Sequence, residues 1–328
     1  MSVVLNGEFW ALVGVIAGIY TVLGLGIQVQ FGIGGLMIFG QAAYMAIAAY
    51  AVAILVVDVQ LSTWLAIPAA VVLATVFALA TTAPAIRLRG DYLAIFTLAA
   101  AEIVRYVAMN EDDLTGGAQG SLAISPEGTG IQFDAEWQSF EARIASALGS
   151  LFGTTPTHNV TMLVVVWGVF VLLLLPLLVA VHSPWGRVAK AMREDEEAAV
   201  ALGKHVTGMK LQVGMIGGAL GGVAGVLFAL QSGFFVPDDF APLTTLYAWT
   251  AVILGGIGRV WTVPIGAIVF GVIYAGTRFF EFPPFSYLDP ADRAYVRLMI
   301  VGLLIIALMA FRPQGLFGSR EEFALRRG

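Results

Sequence analysis

The sequence has no cysteine and little charge. Its 328 residues contain no Cys, only 12% Asp, Glu, Lys and Arg, and three His residues, all in predicted loops. A disulfide framework and a cysteine-ligated metal are therefore excluded, and no two histidines have metal-ligand spacing. A soluble domain of this length needs more charge to cover its surface. We exclude a soluble enzyme and expect this chain to hold no cofactor and no metal.

The sequence also lacks the G-x-x-x-x-G-K-[ST] motif of P-loop ATPases. If ATP drives this protein, the ATPase is another polypeptide. No Lys or Arg precedes the first apolar segment, so the positive region of a signal peptide is missing. The first apolar segment is therefore predicted to be a retained span.

Long apolar runs are what the sequence does have, with hydrophobic residues making up 59% of the chain. The runs are too long for barrel strands and do not alternate. We predict an all-α polytopic membrane protein with about nine transmembrane helices, and between about eight and eleven. The predicted spans are 10–28, 31–56, 64–85, 91–109, 160–181, 209–231, 244–258, 260–280 and 296–311.

Two of the predicted spans are irregular. The segment 31–56 is long and carries several glycines and Gln41 near its start, so we expect a broken or re-entrant piece followed by a full helix. The segment 244–258 is short for a span and ends in Leu-Gly-Gly-Ile-Gly.

Basic residues predict the orientation of the chain in the membrane. With nine spans and an outside N-terminus, twelve of the seventeen Lys and Arg residues face the cytoplasm, whereas most carboxylates fall on the other side. We predict a single permease domain over 1–318, with an outer loop at 110–159 and a cytoplasmic loop at 182–208. A cytoplasmic tail, 319–328, follows.

The outer loop contains one helical pattern, at 135–148. Phe140, Ile144, Ala147 and Leu148 form its apolar face. Such a helix could lie on the membrane or pack across the outer mouth. A solvated connection is the alternative.

The segment 182–210 is a polar island between apolar spans, with five basic and four acidic residues. A short amphipathic helix is predicted from Gly186 to Arg193. A second helix begins with the acidic run 194–197, as the helix dipole favours, and ends at Gly203. Its alanine-rich face suits a groove on a partner protein, and an unengaged solvated loop is the alternative. The candidate coupling residues are Gly186, Arg187, Arg193, Glu194, Asp195, Glu197, Ala198, Ala199 and Gly203.

A second group of candidates concerns a path through the membrane. Glu102 falls inside the fourth span, where a carboxylate must be paired or face a cavity, and Arg105 is placed to pair with it. Gln41 and Tyr44 could present polar groups inside a broken helix. The candidate pathway residues are Gly40, Gln41, Tyr44, Glu102, Thr115, Gly116 and Gly117.

Six stretches of the sequence together form a specific pattern, namely residues 40–44, 88–98 with 101–103, 114–117, 183–187 with 193–196, 254–258 and 311–316. In these stretches the sequence resembles the permeases of bacterial ABC importers for branched-chain amino acids, specifically the LivM-like subunit. Gln41 stands where many of these permeases carry His.

The resemblance implies a multi-pass subunit of the bacterial plasma (inner) membrane. It also implies a heterodimer with a sister permease, two cytoplasmic ATP-binding subunits and an extracytoplasmic solute-binding protein. Residues 187–203 would then contact an ATPase. The family includes permeases for urea and short-chain amides, which remain an alternative substrate class.

Two other kinds of function stay open at this point. A self-contained secondary transporter or channel would work without an ATPase and would be expected to carry more intramembrane ionisable residues than Glu102 and Arg105. A membrane-embedded enzyme is a more distant alternative, because no nucleophile–base pair is visible in the sequence.

Overall fold

The described part of the protein is helical. The computed structural model describes residues 7–88, 90–124, 131–152 and 156–276, together with isolated positions between 292 and 306. A π-helix, Gln28–Ile33, continues the first α-helix, and short 3-10 turns occupy Gly117–Gln119, Pro237–Phe240 and Val260–Thr262. The α-helices are α1 (Gly7–Ile27), α2 (Gln41–Val57), α3 (Thr63–Ala85), α4 (Asp91–Asn110), α5 (Asp112–Thr115), α6 (Ser121–Ile124), α7 (Ala135–Phe152), α8 (His158–His182), α9 (Pro184–Glu194), α10 (Glu196–Ala201), α11 (Val206–Ser232), α12 (Pro242–Gly255) and α13 (Val263–Gly276).

Five helices of the described residues are long and apolar enough to cross a membrane, namely α1 with its π-helical extension, α3, α4, α8 and α11. They correspond to five of the predicted spans, and the all-α polytopic fold is confirmed. The predicted span 296–311 and the tail 319–328 lie outside the continuously described residues.

The predicted break in 31–56 is confirmed. Residues 35–40 are not helical, and Gly35 adopts a left-handed φ of 72°. The chain turns because the Leu36 N–H donates to the Gln30 carbonyl across 2.8 Å. The following helix α2 is apolar but has only 17 residues, fewer than the five long helices.

A second break separates α12 from α13. The two helices are bent by 107° relative to each other. The bend falls at Gly256 and Gly258, whose φ angles of 119° and 102° disfavour other residues. The sequence predicted separate spans at 244–258 and 260–280, whereas the structure has one bent pair that makes up at most one long span.

Helix α11 lies at the centre of the bundle, where it packs against α1, α2 and α3. Glycines make this packing possible. A Cβ on Gly225 would collide with the backbone of Met45 in α2, and one on Gly222 would lie 2.8 Å from the Ala74 Cβ in α3. The small residues let the helix backbones approach closely, as is common between membrane helices.

The connecting segments gather at two ends of the bundle. At one end, a common cavity of about 690 Å³ is lined by residues 34–37, 86–88, 90, 93, 192, 193, 196, 197, 200 and 210. At the other end, Asp134 binds Thr63, and the Ser121 N–H donates to the Phe235 carbonyl across 2.9 Å. The segment 192–210 and the turn that precedes α7 thus lie at opposite ends of the bundle.

The helix predicted at 135–148 is α7. It does not stand alone, because Trp137 and Phe140 pack against Trp64 at the start of α3, with ring centroids 5.7 and 5.0 Å away. Trp137 is buried, and Ser62 donates to the Glu136 carboxylate across 2.7 Å. The helix is thus anchored to the end of the bundle.

Candidate functional site

Two glutamine amides meet inside the bundle. Gln41, the first residue of α2, donates through Nε2 to Gln30 Oε1 across 2.8 Å, and Gln30 donates to the Gly214 carbonyl of α11 across 3.2 Å. Both side chains are at most 1% exposed. Gly214 lies eight residues into α11, which is about 12 Å along its axis. The pair is therefore buried inside the helix bundle, beside the first half of α11.

Glycines provide the space for these amides. A Cβ on Gly26 would lie 3.0 Å from Gln41 Nε2, and one on Gly217 would collide with the Gln30 side chain. Gln41 Oε1 and both amide atoms of the fully buried Gln28 find no hydrogen-bond partner among the described residues. Such atoms are rare in folded proteins and call for an explanation. Gln28 and Gln30 were not singled out from the sequence, although two glutamines inside an apolar run are an unusual pattern.

The start of α2 is held by three other helices. The Ala42 N–H donates to Thr245 Oγ1 of α12 and the Phe39 N–H to Thr97 Oγ1 of α4, both across 2.9 Å. The Tyr44 hydroxyl lies 3.3 Å from Thr81 Oγ1 of α3. Gly40, Gln41 and Tyr44 therefore lie together at the buried start of α2.

Glu102 and Arg105 form the predicted ion pair, with 2.7 Å between Glu102 Oε2 and Arg105 Nε. The sequence did not reveal the third member, Asp238, which lies 2.7 Å from Arg105 Nη1 in the 3-10 turn after α11. Arg105 thus ties α4 to the connection between α11 and α12. This group belongs to the end of the bundle that carries the predicted outer loop.

Thr115, Gly116 and Gly117 shape the turn after α4. Thr115 donates to the Ala108 carbonyl across 2.6 Å, and Gly116 and Gly117 adopt left-handed φ angles of 73° and 57°. Their observed contacts are those of a turn. The pathway candidates therefore fall into two groups, one around Gln41 and one at the outer-loop end.

The polar island folds into two short helices, as predicted. Ser183 accepts from the Trp185 N–H at the start of α9, and Asp195 accepts from the Ala198 N–H at the start of α10. Gly203 has a φ of 74° just beyond α10, which is the usual conformation of a residue that ends a helix.

Four contacts fix these helices to the bundle. Met192, Ala199 and Val206 form a small apolar cluster. Lys210 Nζ lies 2.7 Å from both carboxylate oxygens of Glu196. Trp185 donates to Gln212 across 2.8 Å, and Arg193 donates to the Gly32 carbonyl.

The candidate coupling residues divide by exposure. Gly186 and Ala199 are buried and Arg193 is partly buried within this chain. The others lie on the surface, namely Arg187, Glu194, Asp195, Glu197, Ala198 and Gly203. Val200 and Leu202 extend this surface with 56% and 77% exposure.

Comparison with known proteins identifies the family. A family described as the permease component of branched-chain amino acid transport systems matches residues 11–309. The high-affinity branched-chain amino acid transport permease LivM of Escherichia coli is 33% identical over 317 residues, which covers 94% of this chain and 70% of that protein. The chain belongs to this permease family.

Two further relatives match shorter parts. The LivH permease of Salmonella typhimurium is 32% identical over 162 residues, 49% of each chain. A probable LivM of Methanocaldococcus jannaschii is 26% identical over 141 residues, 42% of this chain and 41% of that protein. No solved structure matches. The family confirms the prediction of a transport permease rather than an enzyme. Within the described residues, no group of three or more acidic or histidine side chains could hold a metal.

Proposed function

We propose that this permease works as one half of an ATP-driven importer and that α9 and α10 are its contact with a cytoplasmic ATPase. The observation that carries the proposal is the exposed surface formed by α10 and the turn that follows it, where Val200 and Leu202 are 56% and 77% exposed. Two large apolar side chains exposed close together on an otherwise charged segment suit an apolar groove on a partner protein.

The arrangement of α9 and α10 supports transmission of force. They are held to α11 by the Glu196–Lys210 pair and by the Met192 cluster. A displacement of α10 by an ATPase would therefore displace α11, which is long and apolar enough to cross the membrane. The basic loops at this end of the bundle favour the cytoplasmic side, with the N-terminus outside and the C-terminus in the cytoplasm. ATP would bind to two partner subunits.

The substrate we propose is a branched-chain amino acid. The family description and the names of the LivM and LivH relatives support this choice. A sister permease would complete the path, and an extracytoplasmic solute-binding protein would deliver the substrate to it. Uptake of labelled leucine and of labelled urea, in cells with and without this gene, tests the choice: gene-dependent leucine uptake supports it, whereas urea uptake alone contradicts it.

The amide group around Gln41 is the proposed lining of the path within this chain. Its unpartnered amide atoms, Gln41 Oε1 and those of Gln28, are available to a polar solute. The group is closed in this conformation, because Gln41 and Tyr44 are at most 1% exposed. Alternating access would open it.

Replacing Glu197 with Ala and Gly203 with Val tests the coupling surface. Val is strained at the Gly203 φ of 74°, and Glu197→Ala removes an exposed charge from the first turn of α10. We expect both variants to reach the membrane and to lose leucine uptake and stimulated ATP hydrolysis. Glu111→Ala, an exposed glutamate at the other end, is the control. Normal transport in both variants would contradict the proposal.

A further inference from the structure

Arg193 occupies a special place between the coupling helices and the break in the membrane helix. It is the tenth residue of α9, and its guanidinium donates to the carbonyl of Gly32. Gly32 lies in the π-helix Gln28–Ile33. A cytoplasmic helix therefore binds the backbone of a membrane helix at the point where that helix ends.

The end of the π-helix needs such a partner. The N–H groups of Gly34 and Leu36 donate to the Val29 and Gln30 carbonyls, across 3.0 and 2.8 Å. Arg193 adds a donor for Gly32. A cation at the C-terminal end of a helix is also favoured by the helix dipole, so the contact stabilises this irregular ending.

Close packing reinforces the hydrogen bond. Gly35, with a φ of 72°, lies so close to α9 that a Cβ there would be 2.9 Å from Arg193 Cγ and 3.2 Å from its Cα. Arg193 also lines the cavity of about 690 Å³, together with Leu36 and Met37 of the break and Glu197 and Val200 of α10. The break, Arg193 and α10 therefore border one open space.

The π-helix leads directly to the buried amides. It carries Gln28 and Gln30, and Gln30 binds Gln41 at the start of α2. A shift of Gly32 therefore moves side chains that the proposed path uses. π-Helical turns within α-helices are frequent at functional sites.

We propose that Arg193 is a positioning residue that transmits movement of α9 to the π-helix and so to the Gln28, Gln30 and Gln41 group. This inference rests on the proposed ATPase contact of α9 and α10. It assigns Arg193 to contacts within the chain, where the sequence suggested a contact with the ATPase.

The test uses the complete complex of permease, sister permease, ATPases and binding protein in proteoliposomes. With Arg193→Ala, we expect the ATPases to stay bound and basal hydrolysis to persist. Leucine uptake and stimulation by the loaded binding protein should fall about tenfold, within the usual range of coupling between sites. Arg193→Lys should recover part of the loss, since an ammonium can donate to the same carbonyl. Arg143→Ala, an exposed arginine of α7, is the control.

A labelling experiment follows the movement itself. Because the chain has no cysteine, Met37→Cys places a single thiol on the break beside the cavity. We expect its labelling rate to change with ATP, less so with Arg193→Lys and not at all with Arg193→Ala. If Arg193→Ala does not accumulate in the membrane, the comparison of wild-type and Arg193→Lys labelling rates alone tests the inference.

Three results would overturn the inference: wild-type uptake in Arg193→Ala, loss of ATPase binding in that variant, or an ATP response at Met37→Cys that is the same in the wild-type and Arg193→Lys backgrounds. The proposed function is judged separately. If Glu197→Ala and Gly203→Val lose coupling while Arg193→Ala does not, only the role of Arg193 is wrong. If all three are normal, the ATPase contact itself is wrong.

Discussion

The Gln41 amide donates to the Gln30 amide oxygen across 2.8 Å, and this bond joins the start of α2 to the end of the first membrane helix. Gln41 also lies 3.4 Å from the Gly217 carbonyl of α11. The two sides of the break at residues 35–40 and the central helix therefore meet at one side chain. The role that we propose for Gln41 in transport can be separated from its role in stability.

Replacing Gln41 with Leu should reduce transport more than it reduces stability. A side-chain hydrogen bond between membrane helices contributes only about 0.6 kcal/mol on average, so the permease should still fold. Leucine uptake per permease molecule, measured beside thermal unfolding in detergent, checks this. Gln138→Leu on the exposed surface of α7 is the control. Unchanged uptake in Gln41→Leu would remove this residue from the path.

Alanine substitutions at two glycines of α11 should have different effects on the free energy of unfolding. At Gly225 the new methyl group would collide with the Met45 backbone, whereas at Gly208 nothing lies within 4 Å. We expect Gly225→Ala to lower the free energy of unfolding by about 1–3 kcal/mol. Gly208→Ala should be neutral or raise it by up to about 1 kcal/mol through helix propensity. Equal effects at both positions would show that close packing against α2 is not what requires Gly225.

The anchor of α7 should weaken in acid. Burial raises the pKa of Asp134, but hydrogen bonds from the Thr63 hydroxyl and N–H, from the Trp137 N–H and from Ser62 outweigh it and hold the pKa below its usual 3.8. A carboxyl with a lowered pKa in the folded state stabilises the fold above the unfolded pKa. The contribution is lost as pH falls through the folded pKa.

Comparison with Asp134→Asn makes this measurable. The amide cannot accept at both oxygen positions, so the N–H of Thr63 loses its partner. We expect the variant to unfold at a lower temperature than the wild type at neutral pH, and the difference to shrink as pH falls below about 3.8. A difference that does not vary with pH would mean that the carboxylate charge is not what anchors α7.

The sequence was sufficient where a local pattern determines the structure. Apolar run length located the five long helices, and the acidic run with Gly203 located α10. The Glu102–Arg105 pair followed from helical spacing. Contacts between residues far apart in the sequence could not be predicted in this way. Asp238 meets Arg105, and Gln30 meets Gln41, only through tertiary packing.

The length and composition of the segments 244–258 and 260–280 also could not predict the bend between α12 and α13. Both segments are apolar enough for a span, and the deciding feature is the backbone conformation of Gly256 and Gly258. The acceptor of Arg193 was beyond sequence reasoning for a similar reason, because it is a carbonyl 161 residues away.

Site-specific cross-linking in the assembled complex tests whether α10 and the turn after it face an ATPase. In this cysteine-free chain, Leu202→Cys places one thiol on the proposed contact, and Val59→Cys, with 59% exposure at the opposite end, is the matched control. We expect a cross-link from position 202 to an ATPase subunit that changes on adding ATP, and none from position 59. Equal cross-linking from both positions, or none from position 202, would contradict the proposed contact.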